Sequence, residues 1–122
     1  MNIVQFNDSY LLKLEQHEEF MRELKKFCLE NNVNNASVSA LGAINSVTLG
    51  FYNTQTQKYD EQSFHKPFEL TSALGTITTV DNDLNIHIHA TLSDKDFRTY
   101  GGHLFRAVTS KTIEILVHNL DW

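Results

Sequence analysis

The sequence predicts an α+β fold, a mostly antiparallel β-sheet flanked by a few helices, with one clear amphipathic helix near the N-terminus. Three observations predict it. An early segment repeats its apolar residues at helical spacing. Most later segments alternate apolar and polar residues at period two. Turn-forming residues separate those segments at hairpin distances.

The elements follow in chain order. Tyr10, Leu12 and Leu14 alternate with Leu11, Lys13 and Glu15, which suggests a short strand. From about His17 to Asn31, Phe20, Leu24, Phe27 and Cys28 share one helical face, joined by Met21, and Glu18, Glu19, Arg22, Glu23, Lys25, Lys26 and Glu30 take the rest. Acids in the first turn suit the helix dipole, and Asn31 and Asn32 can end it. Ala36 to Leu41 and Ser46 to Tyr52 read as two strands joined around Gly42. Asn53 to Lys58 is a polar turn and Tyr59 to Phe64 a further strand. Phe68 to Val80 is a long strand, with Gly75 marking a bulge or a close backbone approach. Asp81-Asn82-Asp83 is a turn, Leu84 to Leu92 the clearest alternating strand, and Ser93 to Gly102 a loop. Val108 and the run Ile113, Ile115, Val117 mark a last strand or two.

A chain of 122 residues, 41% of them hydrophobic, fits one domain over residues 1–122 with room for a real core. The lone cysteine, Cys28, excludes an intrachain disulfide and fits a reducing compartment; its place on the apolar helix face reads as core packing. Met1 to Tyr10 is too polar for the middle of a signal peptide, and no apolar run approaches the ~18 residues of a membrane span. A cytoplasmic protein with no membrane contact is therefore expected. The formal net charge is −5, from 10 Lys and Arg against 15 acids, and Lys25-Lys26 is the only adjacent basic pair. Phosphate backbones are held by Lys and Arg, so direct DNA binding is expected to be unlikely.

In Leu84 to Leu92 the side chains alternate faces, which sends Ile86, Ile88 and Ala90 toward a core and His87 and His89 together the other way. Two imidazoles side by side can reach one ion. His103 follows Gly101-Gly102, whose freedom to turn tightly would carry it back over the strand. Three neutral imidazoles and one open position make a catalytic type of zinc site. The alternative is two polar residues on a solvated face, with His103 a packed turn residue. His17, His65 and His118 read as a helix-start, a loop and a surface residue.

With these residues in view, the chain resembles the PPC domain (plant and prokaryote conserved domain) over nearly its whole length. The resemblance rests on Tyr10-Leu11-Leu12-Lys13-Leu14 before the acidic helix, Ser39-Ala40-Leu41-Gly42-Ala43, and Ser46 to Tyr52. It continues through Phe68-Glu69-Leu70-Thr71-Ser72 and Gly75-Thr76-Ile77, and is most specific at His87 to Asp94 and at Gly101-Gly102-His103-Leu104. It implies an antiparallel sheet with flanking helices, a homotrimer, and a zinc or similar divalent ion held by His87, His89 and His103. The fold it implies is distantly similar to acetolactate decarboxylase, a zinc enzyme with histidine ligands, although a shared fold is weak warrant for a shared reaction. Plant members carry an AT-hook with an Arg-Gly-Arg-Pro core, which this sequence lacks. They also carry a Gly-Arg-Phe-Glu-Ile-Leu partner-contact stretch, which reads here Lys66-Pro67-Phe68-Glu69-Leu70-Thr71.

Three functions then compete. A small metal-dependent enzyme would use the ion on a small carbonyl or carboxylate compound, with Glu69 as the candidate acid or base because it is the charged residue of an otherwise apolar strand. Glu69 would otherwise be a structural ion-pair or hydrogen-bond partner. A non-catalytic trimeric interaction module is the second function, and a DNA-associated regulatory protein the third.

Overall fold

A computed structural model describes residues 1–121. Seven strands and one helix run in the order β1 Asn2–Phe6, β2 Ser9–Leu14, α1 Phe20–Asn31, β3 Ala36–Asn53, β4 Lys58–Phe64, β5 Phe68–Val80, β6 Asp83–Ser93 and β7 Thr99–Asn119. The predicted class holds: every strand pairing among the described residues is antiparallel, and α1 is the one α-helix among them, where the sequence predicts a few.

The strands lie in the order β1-β2-β7-β6-β5-β3-β4, and β3 also pairs back onto β7. The segment β7-β6-β5-β3 thus closes on itself, which leaves those strands fewer unpaired edges. Closure demands strong coiling, and bulges supply it. Register shifts occur in β3 between Ala40 and Gly42, Gly42 and Ile44, Ile44 and Ser46, and Thr48 and Leu49, and in β5 between Leu70 and Ser72. Two predicted strands around Gly42 are therefore one long bent strand. A Cβ on Gly42 would collide with the backbone of Thr112 and Ile113, so glycine there permits close approach and not a chain reversal.

Alternation sorts the side chains. Leu12, Leu14, Val38, Ile77, Ile88, Ala90, Leu92, Leu104, Ile113, Ile115 and Val117 point inward and are buried. The apolar stripe of α1, Phe20, Leu24, Phe27 and Cys28, joins the same core, and Phe27 meets Tyr10 edge-on with ring centroids 4.9 Å apart. The Glu19 side chain caps α1 by accepting from the Met21 and Arg22 amides, and Asn32 ends it in the left-handed conformation. Asp81 and Asn82 both have positive φ, which closes the β5–β6 hairpin tightly. β1 was not foreseen: its residues are all exposed, so it carries no burial signal, and pairing with β2 alone makes it a strand. Among the described residues, no helix is long and apolar enough to cross a membrane.

Candidate metal centre

The inward turn of Ile86, Ile88 and Ala90 fixes where β6 sends its alternate residues. His87 and His89 stand on the outer face, both exposed, with their Nε2 atoms 3.2 Å apart. β7 adds the third group. His103 is the register partner of His89, and its ring centroid lies 5.2 Å from that of His87 and 5.6 Å from that of His89. One ligating atom from each of the three lies within 4.8 Å of the other two. Nitrogen ligands at ~2.0–2.1 Å around a tetrahedral ion stand about 3.3 Å from one another, so the donor set fits with a small inward movement. The cluster can coordinate a divalent metal.

The route by which His103 arrives differs from the expectation. Gly101 and Gly102 do not form a turn. They lie within β7, paired with Thr91 and Ala90, and the loop is confined to Asp94–Arg98. Their value is closeness: a Cβ on Gly102 would meet the carbonyl oxygen of Gly50 on β3. Gly75 acts similarly beneath the site, where a Cβ would strike the backbone carbonyl of His87.

Side chains that the local sequence did not flag surround His103. Its Nδ1 lies 3.4 Å from the hydroxyl of Tyr59, a second contact that can set ring orientation. Tyr59 and Phe105 pack on the imidazole at centroid distances of 4.8 and 4.6 Å. A Cβ on Gly50, the register partner of His103, would collide with Phe105, so glycine there makes room for the aromatic wall. Burial first, then the neighbouring imidazoles His87 and His89, hold His103 below the ordinary histidine pKa. That favours the neutral form that binds metal. Only knowledge of the β3–β4–β7 register would have pointed to Tyr59 and Phe105.

Glu69 is not brought to the histidines. It is exposed and pairs with Ser93, whereas His89 pairs with Leu74, five positions further along β5, or roughly 16 Å of strand. Its charge stands in an apolar strand because alternation turns it outward. The group of potential ligands at the site contains the three histidines and no carboxylate among the described residues. His17 lies in the turn before α1, His65 bonds Ser46, and His118 bonds Ser9. Cys28 is buried, which pushes its thiol up to about 11.

Comparison with known proteins places this geometry in context. The chain matches the Plants and Prokaryotes Conserved (PCC) domain over residues 1–121. A search of the curated proteins finds no match. Among solved structures, a metal-containing protein from Archaeoglobus fulgidus is 30% identical, with a TM-score of 0.85 over 98% of this chain and 85% of that one. A protein from Bacteroides thetaiotaomicron, provisionally named as DNA-binding, is 26% identical, with a TM-score of 0.96 over 99% of this chain and 85% of that one. A second protein provisionally so named, from Ralstonia eutropha, shares the fold at 24% identity, with a TM-score of 0.90 over 96% of this chain and 81% of that one. The likeness to the Bacteroides protein, at 26% identity, corrects the expectation that direct DNA binding is unlikely. The physical reason is that net charge sums over the whole surface, whereas a phosphate contact depends on the local arrangement of donors.

Proposed function

Since the chain belongs to the Plants and Prokaryotes Conserved (PCC) domain family, we propose that it is a zinc-binding, homotrimeric interaction module that works in association with DNA. One observation carries the metal part: three imidazoles from β6 and β7 converge on one point of an exposed face. His87, His89 and His103 would hold the ion, and the metal-containing likeness at 30% identity supports that reading. Imidazole nitrogen suits zinc among the divalent ions. When bound, the ion would tie β6 to β7 and offer an open position to a ligand.

A module is favoured over an enzyme by what surrounds the ligands. Proton transfer needs a group within hydrogen-bond reach of the reacting atoms. Glu69 lies far along β5, and the cluster includes no carboxylate among the described residues. Trimerisation is supported by Leu41, Leu74 and Leu116, which stand exposed at 56%, 60% and 44% around one groove of the outer face. Leu74 is itself the register partner of His89. An exposed apolar patch of this kind marks an association surface. DNA association is supported by the likeness to the Bacteroides protein provisionally named as DNA-binding. A reducing, cytoplasmic setting suits the buried thiol.

The experiment is metal analysis of protein purified without a metal-affinity tag, followed by titration of a labelled duplex across a salt series. Near-stoichiometric zinc, together with duplex affinity that falls as salt rises, is the expected result. Protein that neither retains nor takes up a divalent ion would remove the metal part. Affinity below detection at low salt would remove the DNA part.

A further inference from the structure

The outer face holds a second convergence of donors beyond the histidines. Along β3, Ser46, Thr48 and Gly50 occupy successive outward positions. Gly50 faces His103, while Thr48 faces Arg106 on β7 and Ser63 on β4. The Arg106 Nη1 donates to the Ser46 hydroxyl at 3.2 Å, and that hydroxyl also lies 3.1 Å from the Nδ1 of His65. Beside them the hydroxyls of Thr48 and Ser63 are 2.8 Å apart. The Thr48 and Gly50 positions are two residues, or about 7 Å, apart along β3.

A guanidinium carries five N–H donors, and the Arg106 bond to Ser46 is the one side-chain bond it makes among the described residues. No carboxylate pairs with it among those residues. The Ser46 oxygen accepts from Arg106 and has a second lone pair and a proton to offer the Nδ1 of His65, so the Ser46–His65 bond forms with either group as the donor. Cross-strand hydroxyl pairs stabilise a sheet by themselves, but they need no exposed arginine. Glu61 is the acid on this stretch of the face, opposite Gly50 and nearer the histidines, which leaves the Arg106 end the more positive.

We propose that Arg106, His65 and Ser46, flanked by Thr48 and Ser63, form a binding site for a phosphate-type oxyanion, either a nucleic-acid backbone phosphate or the phosphoryl group of a small ligand. Arginine presents a planar fork that matches phosphate oxygens, and the hydroxyls and imidazole N–H add donors around it. The site is separate from the histidine cluster and does not require an ion there.

The test follows the side-chain NMR signals of His65 and Arg106 while the full chain is titrated with inorganic phosphate, and separately with a short mixed-sequence duplex, at constant ionic strength. The His89→Ala variant is titrated in parallel, so that an anion sitting on a metal is told apart from one at Arg106. Saturable shifts are expected in both proteins. Arg106→Gln should weaken them by at least ~10-fold, the scale of one charge-assisted hydrogen bond. Its far-UV circular dichroism should match the wild type. Saturation at lower duplex than phosphate concentration identifies the nucleic-acid source, and the reverse order identifies a small phosphorylated ligand. Flat signals with both probes would overturn the site. So would shifts unaltered in Arg106→Gln. A response lost in His89→Ala would also overturn it, because the anion would then be a metal ligand, and the metal reading would stand.

Discussion

His89 and His103 face one another as register partners across β6 and β7, with ring centroids 5.6 Å apart. Neither strand alone presents more than two of the three imidazoles, so the centre exists only once this pair has formed. His89 is the ligand shared by both relationships, along β6 to His87 and across to His103. His89→Ala should therefore weaken zinc binding by more than about 100-fold, beyond the usual loss of an outer-shell partner. Competition against a chromophoric chelator measures this, with circular dichroism showing that the fold survives. Equal affinity in wild type and in a variant lacking all three histidines would refute the assignment.

Tyr59 should matter less, and in a particular way. Its hydroxyl contacts His103 Nδ1 while its ring packs on the imidazole. Tyr59→Phe keeps the ring and should lower zinc affinity by roughly 10-fold, at the low end for an outer-shell hydrogen bond. Tyr59→Ala removes both contacts and should cost more. If Phe and Ala behave alike, the hydroxyl alone orients the ring; if Phe matches wild type, it has no such role.

Acid should act on the metal-free protein through His103. Its folded value lies below the ordinary 6.5, so the unfolded chain takes up the proton first as pH falls. The stability from the neutral ring is fully present above 6.5 and is lost as pH drops from there through the lowered folded value. Zinc affinity should fall over the same window, since protons compete for the ligand nitrogens. Urea unfolding of metal-free wild type and His103→Gln at a series of pH values checks this. The variant should show a shallower loss below 6.5, and parallel curves would contradict the assignment.

Gly75→Ala tests the packing under the site. The added methyl meets the backbone carbonyl of His87 and the side chain of Ile88, which must shift. A destabilisation of about 1–3 kcal/mol in urea is expected, typical of overpacking. Zinc affinity should fall with it, because the displaced strand carries His87. Thr76→Ala, at the exposed register partner of His87, serves as the control and should change stability little.

Assembly is checked by light scattering, which should give about three times the 14.0 kDa chain mass. Leu74→Asp places a charge within the exposed leucines of the outer face and should shift the protein to lower mass. A wild-type monomer at micromolar concentration would exclude this mode of association.

The sequence by itself determined the fold class, the course of β5 and β6, and the pairing of His87 with His89 on one face. Each of these follows from local periodicity: apolar residues at helical spacing in α1, and alternation that drives Ile86, Ile88 and Ala90 inward. What lay between strands was decided by tertiary structure. Gly42 and Gly101-Gly102 read as turns because glycine tolerates tight bends, yet all three lie within strands where backbones crowd one another. Whether a glycine serves a turn or a close approach depends on a neighbour that is remote in sequence. The same holds for β1, which is exposed throughout and exists by pairing, and for Glu69, whose charge marked it although its position on β5 keeps it from the histidines. The wall of Tyr59 and Phe105 joins β4 to β7, and the cluster of Ser46, His65 and Arg106 joins β3, the residue just after β4, and β7. Local patterning sets which face a side chain takes, but only long-range register sets what it meets there.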